Sequence, residues 1–259
     1  MSRLRKLNNS VIILIFVVVI LVLLIMFFSY RRLEEAGNAS ESKSASYWLD
    51  SGAYVYLQRE KNIKSVQGEL QSSKWHRIYK ETNPSDTDNG EHPQNIFRLI
   101  YRSKKINFEQ SAFFKINKIN LSSSPNRNSS NGILFFSHYI DSDNLYYTGL
   151  RVDGKAIIKK KIKGEYITLA EEQLVDGEYN TVSSPNLLPE KQWIGIKSTT
   201  ETLENSVDLK LYKYDNNLNK WELILQAKDL DNPILSSGFA GIRTDFLDFE
   251  CRDYSVSNL

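Results

Sequence analysis

Between Gly132 and Leu169 the sequence reads almost without interruption as a β-meander, and this stretch limits more than any other what the chain can fold into. From Leu145 to Val152, the side chains of Tyr146, Thr148, Leu150 and Val152 share one face of a period-2 strand. Leu145, Tyr147, Gly149 and Arg151 share the other. Asp153-Gly154 then reads as a two-residue type I′ hairpin turn, a geometry with both central residues at positive φ. The return strand runs from Lys155 to Lys163, Lys163-Gly164 reads as a second turn, and Glu165 to Ala170 continues the sheet. Such a meander is antiparallel, because turns this short leave no room for a parallel crossover.

The same alternation recurs over Tyr54 to Gln58, Asn95 to Arg102, Ala112 to Ile119, Trp193 to Ser198, Val207 to Tyr214, Trp221 to Ala227 and Gly238 to Thr244. Turn-rich connectors such as Asn83-Pro84-Ser85-Asp86 and Tyr214-Asp215-Asn216-Asn217 separate these runs, and helical periodicity is nearly absent. An all-β antiparallel sandwich follows, closing on a strand from Phe249 to Ser257 that returns beside the first. Trp75, Trp193 and Trp221 alternate with apolar partners and are expected in its core.

Ahead of the sandwich, Val11 to Phe28 is a run of 18 residues without a charge, Gly, Pro or polar side chain. A helix spanning a bilayer needs about 20 apolar residues, and a signal-peptide core is shorter, so one uncleaved transmembrane helix over residues 11–30 is expected. Arg3, Arg5 and Lys6 precede it, whereas Arg31 and Arg32 follow it together with Glu34 and Glu35. That bias puts residues 1–10 in the cytoplasm as a short tail and the rest of the chain outside, at the cell membrane. Residues 31–46 are small and polar and read as a flexible linker, leaving residues 47–259 as one domain.

Residues 1–46 hold six of the 33 basic and three of the 31 acidic residues, so the sandwich is nearly neutral and offers no nucleic-acid patch. Lys159-Lys160-Lys161, the densest basic run, alternates faces on a strand and reads as a solvated sheet edge, with an anionic-polymer site as the alternative. Cys251 is the sole cysteine, which excludes a disulfide scaffold. Asn38, Asn120 and Asn128 each begin an Asn-x-Ser sequon.

The order of Trp48-Leu-x-Ser-Gly52, Asn144-Leu-Tyr-Tyr-x-Gly-Leu-Arg151, Trp193-Ile-Gly-Ile196 and Gly241-Ile-Arg-Thr-Asp-Phe246 resembles the concanavalin A-like lectin/glucanase superfamily, nearest its laminin G-like and sugar-hydrolase-associated members. The resemblance covers Tyr47 to Leu259 and implies a jelly-roll sandwich of two curved sheets, a superfold shared by lectins, glycosidases, lyases and adhesion modules. The Glu-x-Asp-x-x-Glu motif of family 16 glycosidases is absent, as is the Gln-Ile-His signature of the related lyases. Asp248-x-Glu250 is the nearest approach to a catalytic carboxylate pair. The expected function is therefore a membrane-anchored carbohydrate-binding or adhesion module, lectin-like and without evident catalysis, with a polysaccharide or glycan as partner. The alternatives are a membrane-tethered glycoside hydrolase or polysaccharide lyase of the same fold, and a purely structural envelope domain.

Sugar binding needs an aromatic plane for the ring and planar polar groups for the hydroxyls. Tyr147 and Arg151 share a strand face with Gly149 between them, where a ligand can approach the backbone, and Asn95 and Arg98 supply polar groups from another strand. Against them stands an ordinary solvated sheet surface, which tolerates Tyr and Arg equally well. The oxygen-rich string Asp86-Thr87-Asp88-Asn89-Gly90-Glu91 makes Asp86 and Asp88 candidate calcium ligands, with plain Asx turns as the competing explanation. Asp141-Ser142-Asp143-Asn144 lies between two strands that must pair and reads as a hairpin turn. His76, His92 and His138 lack metal-ligand spacing, and His138 is expected on the same strand face as Leu134 and Phe136.

Overall fold

In the computed structural model, which describes residue 11, residues 13–20 and residues 30–259, two antiparallel sheets pack face to face. The eight-stranded sheet runs β1 (Tyr30–Glu34), β3 (Tyr54–Gln58), β4 (Asn62–Ser65), β15 (Leu247–Asn258), β6 (Phe108–Ile119), β11 (Trp193–Thr202), β12 (Val207–Asp215), β13 (Lys220–Asp229). The seven-stranded sheet runs β10 (Glu165–Gln173), β9 (Lys155–Ile162), β8 (Asn144–Arg151), β7 (Gly132–Asp141), β14 (Phe239–Asp245), β5 (Ile96–Tyr101), β2 (Tyr47–Ser51). Helix α1 (Lys74–Thr82) lies outside them. This is the two-sheet sandwich that the concanavalin A-like resemblance implies.

Alternation decides which side chains meet between the sheets. Phe97 and Leu99 of β5, Phe135 of β7, Leu150 of β8 and Ile242 of β14 face Phe114 of β6, Ile196 of β11 and Phe249 of β15. Phe114 and Phe135 bridge the sheets with ring centres 5.6 Å apart, and Phe97 meets Phe249 edge-on at 4.9 Å. Each such side chain contributes about 1.5–3 kcal/mol through burial. The seven-stranded sheet is apolar on its outer face too, where Trp48, Ile100, Leu134, Phe136, Tyr147 and Ile157 form a second cluster. Loops must therefore partly cover that face.

The turns differ from their expected types. Lys163-Gly164 has positive φ at both residues, 50° and 86°, and is the type I′ turn, pairing Ile162 with Glu165. At Asp153-Gly154 only the glycine is at positive φ, and Gly154 N–H donates to the Arg151 carbonyl in a longer loop. The last pair of that hairpin is Leu150 with Ala156, which sets Tyr147 opposite Lys159.

Several expectations need correction. Residues 31–46 do not form a tether: β1 adds to the edge of β3, Leu33 is buried in the core, and Ser44 is buried where it donates to Glu60. Helix α1 exists because Ser73 caps it and Trp75 and Tyr79, one turn apart, cover Ala53, Val66 and Leu70. β15 does not end beside the first strand; it lies between β4 and β6. Lys160 is not solvated but buried against Asp229, with the two charges 3.0 Å apart. Trp193 and Trp221 leave the core for the outer face of the eight-stranded sheet, where Arg252 and Lys115 lie 4.5 and 4.9 Å from the centre of the Trp193 ring. The expected transmembrane helix falls mostly on residues outside those described; residues 13–20 are helical, and among the described residues no helix is long and apolar enough to cross a membrane.

Candidate functional site

A cleft of about 380 Å³ opens on the outer face of the seven-stranded sheet, over β7, β8, β9, β10 and β14. Tyr147 and Arg151 both reach it from β8. Pairing of β8 with β9 and of β9 with β10 brings Lys159 beside Tyr147 and Thr168 beside Lys159. Arg243 and Asp245 come from β14, two residues apart and hence on one face. Asn126, Asn128 and Asn131, from the loop before β7, supply amides at the rim.

Two tyrosines shape the cleft in different ways. Tyr147 is 2% exposed and packs on Leu134 and Ile157 as a floor, whereas Tyr166 of β10 is 57% exposed and stands as a wall. Their ring centres are 6.3 Å apart with planes inclined at 32°. The Lys159 ammonium lies 5.3 Å from the centre of the Tyr147 ring and 4.9 Å from that of Tyr166. Burial pushes its amine down to about 8; Asp245 works against this, while Arg243 and Arg151 add to it.

The two arginines are already oriented. Arg243 donates from Nε and Nη2 to Asp245, at 2.6 Å for the shortest contact. Burial opposes its charge, but Asp245 more than offsets this and holds the guanidinium well above its ordinary range. Arg151 donates to Asp153 at 2.6 Å, to the Ser129 carbonyl at 3.1 Å and to Glu171 at 3.4 Å, so it fixes the loop beside the cleft. The cleft thus offers an aromatic wall, amide and hydroxyl groups, and cations held by fixed carboxylates.

Other expected site residues lie elsewhere or serve the fold. Asn95 is fully buried: its amide donates to the Asp86 carbonyl and to Asp88, and its side-chain oxygen accepts from Asn120. Arg98 pairs with Asp50 at 2.9 Å and does not line the cleft. Gly149 leaves no room for a ligand, because a Cβ there would lie 2.3 Å from the Ile133 carbonyl oxygen; the glycine serves the close approach of β7 to β8. His138, at a bulge with φ of 45°, turns inward, away from Leu134 and Phe136, and directs its ring nitrogens at the Ile234 and Ile106 carbonyls.

Asp86 and Asp88, the expected calcium ligands, both act as hydrogen-bond acceptors, and among the described residues no group of three or more His, Cys, Asp or Glu is placed to hold a metal ion. Asp86 accepts from the Ser124 hydroxyl and the Asn126 amide, and Asp88 from Ser122, from Asn95 and at His92 Nδ1. Two carboxylates facing separate sets of donors are hydrogen-bond hubs, whereas calcium needs six to eight converging oxygens. Asp86 does line the cleft. Asp248 and Glu250 are likewise separated: Asp248 accepts from Gly68, Gln94 and Asn120, and Glu250 pairs with Lys115.

Lys159, Tyr166, Thr168, Arg243 and Asp245 were not among the sequence candidates. Alternation within the quoted Gly241–Phe246 stretch places Arg243 and Asp245 on one face, and strand pairing alone brings them to Tyr147.

No family model matches the chain, and no curated protein matches it. Among solved structures the chain is similar to the carbohydrate binding module CBM66 from Bacillus subtilis, at 13% identity and a TM-score of 0.46 over 63% of this chain and 83% of that one. It is similar to the winged bean acidic lectin complexed with methyl-alpha-D-galactose, at 9% identity and a TM-score of 0.45 over 88% of this chain and 96% of that one. It is also similar to a mutant of the GH43 protein BlXynB from Bacillus licheniformis, at 11% identity and a TM-score of 0.43 over 76% of this chain, which spans 33% of that protein.

Proposed function

We propose that this chain is a carbohydrate-binding domain that takes a saccharide in the cleft over β8, β9 and β10 and performs no chemistry on it. The observation that carries the proposal is Tyr166, an exposed ring that stands as a wall of a cleft also lined by the polar groups of Lys159, Thr168 and Arg243. A sugar ring has an apolar face that stacks on such a plane and hydroxyls that hydrogen-bond to amides, hydroxyls and fixed cations. Asn126, Asn128, Asn131 and Thr168 are placed for the second task. The lectin and the carbohydrate-binding module to which the chain is similar are named for ligands of this class.

The apolar run Val11–Phe28 fits a membrane anchor with a cytoplasmic N-terminus, which would hold the domain at the cell surface. Many weak sites on one membrane engage a polymer with greater avidity than any single site has. A glycan array probed with the detergent-solubilised protein tests the binding proposal. Binding to a defined set of saccharides is expected, and loss of that binding in Tyr166→Ala places it in the cleft. An array without signal would reject it. Protease added to intact cells is expected to release the sandwich; protection until lysis would reverse the orientation.

A further inference from the structure

Of the three lysines in the Lys159–Lys161 run, Lys160 is tied to Asp229 and Lys161 to Asp143, at 3.0 and 3.1 Å. Lys159 forms no ion pair and no hydrogen bond among the described residues; its neighbours are two tyrosine rings. The other cleft cations are matched. Arg243 has Asp245, Arg151 has Asp153 and Glu171, and Asp86 is held at the rim by Ser124 and Asn126. One cation is left without a counter-charge at the centre of the cleft. An ammonium withdrawn from water and left unpaired is costly, and a ligand carboxylate supplies its missing partner.

We propose that the saccharide bound here is acidic, a uronic-acid residue whose carboxylate sits on Lys159 with Arg243 alongside while its ring lies against Tyr166. This rests on the carbohydrate reading above and adds the ligand's charge. Nε and Nη2 of Arg243 are taken by Asp245, so Nη1 is the edge left to a ligand. A single negative charge fits better than a phosphate dianion, because Asp245 and Asp86 also line the cleft and repel a second charge.

The depressed Lys159 amine, near 8, agrees with this placement. The groups facing it are Tyr147 and Arg151 from β8, Tyr166 from β10, and Arg243 and Asp245 from β14. Lys159 is expected to lose its charge between pH 7 and 9, so affinity for an acidic saccharide falls across that interval.

The test is calorimetry of the detergent-solubilised full chain with polygalacturonate, alginate and hyaluronan and with the carboxyl-reduced form of each. The expected result is binding of at least one polyuronate. Carboxyl reduction and Lys159→Met are each expected to weaken it about ten- to a hundredfold, the range of a charged hydrogen bond. In competition, glucuronate is expected to displace the polymer at lower concentration than glucose 6-phosphate. Thermal melts of Lys159→Met check that the variant is folded, and Lys159→Arg is expected to retain preference for the acid form. Equal binding of acidic and reduced polymers, unaltered by Lys159→Met, would overturn the acidic assignment and leave the carbohydrate reading in place. Tighter competition by the phosphate would overturn the carboxylate. Failure of every polymer, acidic and reduced, would overturn the acidic assignment, and the glycan array then decides the carbohydrate reading.

Discussion

Lys160 and Asp229 join the two sheets through an ion pair 3.0 Å long in which each side chain is only 1% exposed. Lys160 comes from β9 and Asp229 from the end of β13. Tyr146 donates its hydroxyl to the same carboxylate at 2.6 Å and accepts from Ile234 N–H at 2.9 Å, and Lys160 also donates to the Asp231 carbonyl. Each buried charge therefore has several partners, which is the condition under which a dry ion pair is tolerated.

Asp229→Ala is expected to destabilise the domain by about 3–5 kcal/mol, because it strands the Lys160 ammonium in the interior. Lys160→Met combined with Asp229→Leu is expected to recover much of that loss. Denaturant titration of the single and double variants checks both; equal destabilisation by the pair and by Asp229→Ala would show that Lys160 is not stranded.

The first described strand belongs to the fold. Glu35 follows β1 and accepts from the Tyr79 hydroxyl of α1 and from Ala53 N–H. A fragment beginning at residue 46 is expected to be less stable than one beginning at residue 30, since it loses β1 and buried Leu33. Leu33→Ala alone is expected to cost about 2–5 kcal/mol. Identical melting of the two fragments would return residues 30–46 to the status of a tether.

Burial raises the Glu35 carboxyl to about 7, with Tyr79 and the backbone donors only partly opposing it. A carboxyl raised above its unfolded value near 4.5 binds its proton more tightly in the folded state. Its contribution to stability is thus complete below pH 4.5 and is lost as pH rises through 7. Unfolding measurements at pH 5 and pH 8 should show a pH-dependent loss that Glu35→Gln reduces; an unchanged slope in that variant would contradict the assignment.

Chelators are expected to leave the melting temperature unchanged. Asp88→Ala is expected to lower it with or without calcium, because Ser122 and Asn95 lose a half-buried acceptor. A melting temperature that falls with chelator in the parent protein but not in Asp88→Ala would restore the metal.

The strands from β5 to β15 were legible because each is a run of alternating or continuous apolar residues between turn signals. β1, β2 and β4 were not: β1 offers Leu33 among charges, the apolar residues of β2 are consecutive and only three, and β4 is only four residues long. Helix α1 shows a single i, i+4 apolar pair, Trp75 and Tyr79, too little for periodicity to register. The site was half legible for a reason of register. A two-residue turn at Asp153-Gly154 would pair Val152 with Lys155, and hence Tyr147 with Lys160. The longer loop shifts the pairing by one residue, which sends Lys159 to the cleft and Lys160 to the interior. Asn95 and Arg98 carry suitable chemistry, but alternation does not show what holds them: Asn120, 25 residues on, donates to Asn95, and Arg98 pairs with Asp50, 48 residues back.

The facing of β8 determines how the cleft is probed. Leu150 lies in the inter-sheet core, so Leu150→Ala is expected to cost about 2–5 kcal/mol. Tyr147 is almost as buried and its truncation also lowers stability, which makes exposed Tyr166 the residue that separates binding from folding. Melting of Leu150→Ala at the parent temperature would invert the facing of the strand.

The most direct test of the central claim, that a saccharide binds in the cleft bounded by Tyr147, Lys159 and Tyr166, is calorimetric titration of the parent and Tyr166→Ala with the tightest-binding glycan from the array. The account predicts an affinity loss of about tenfold or more in Tyr166→Ala, in line with about 1–2 kcal/mol for an aromatic contact, with the melting temperature nearly unchanged. Undiminished affinity in a folded Tyr166→Ala would place the binding surface elsewhere on the sandwich and contradict the account.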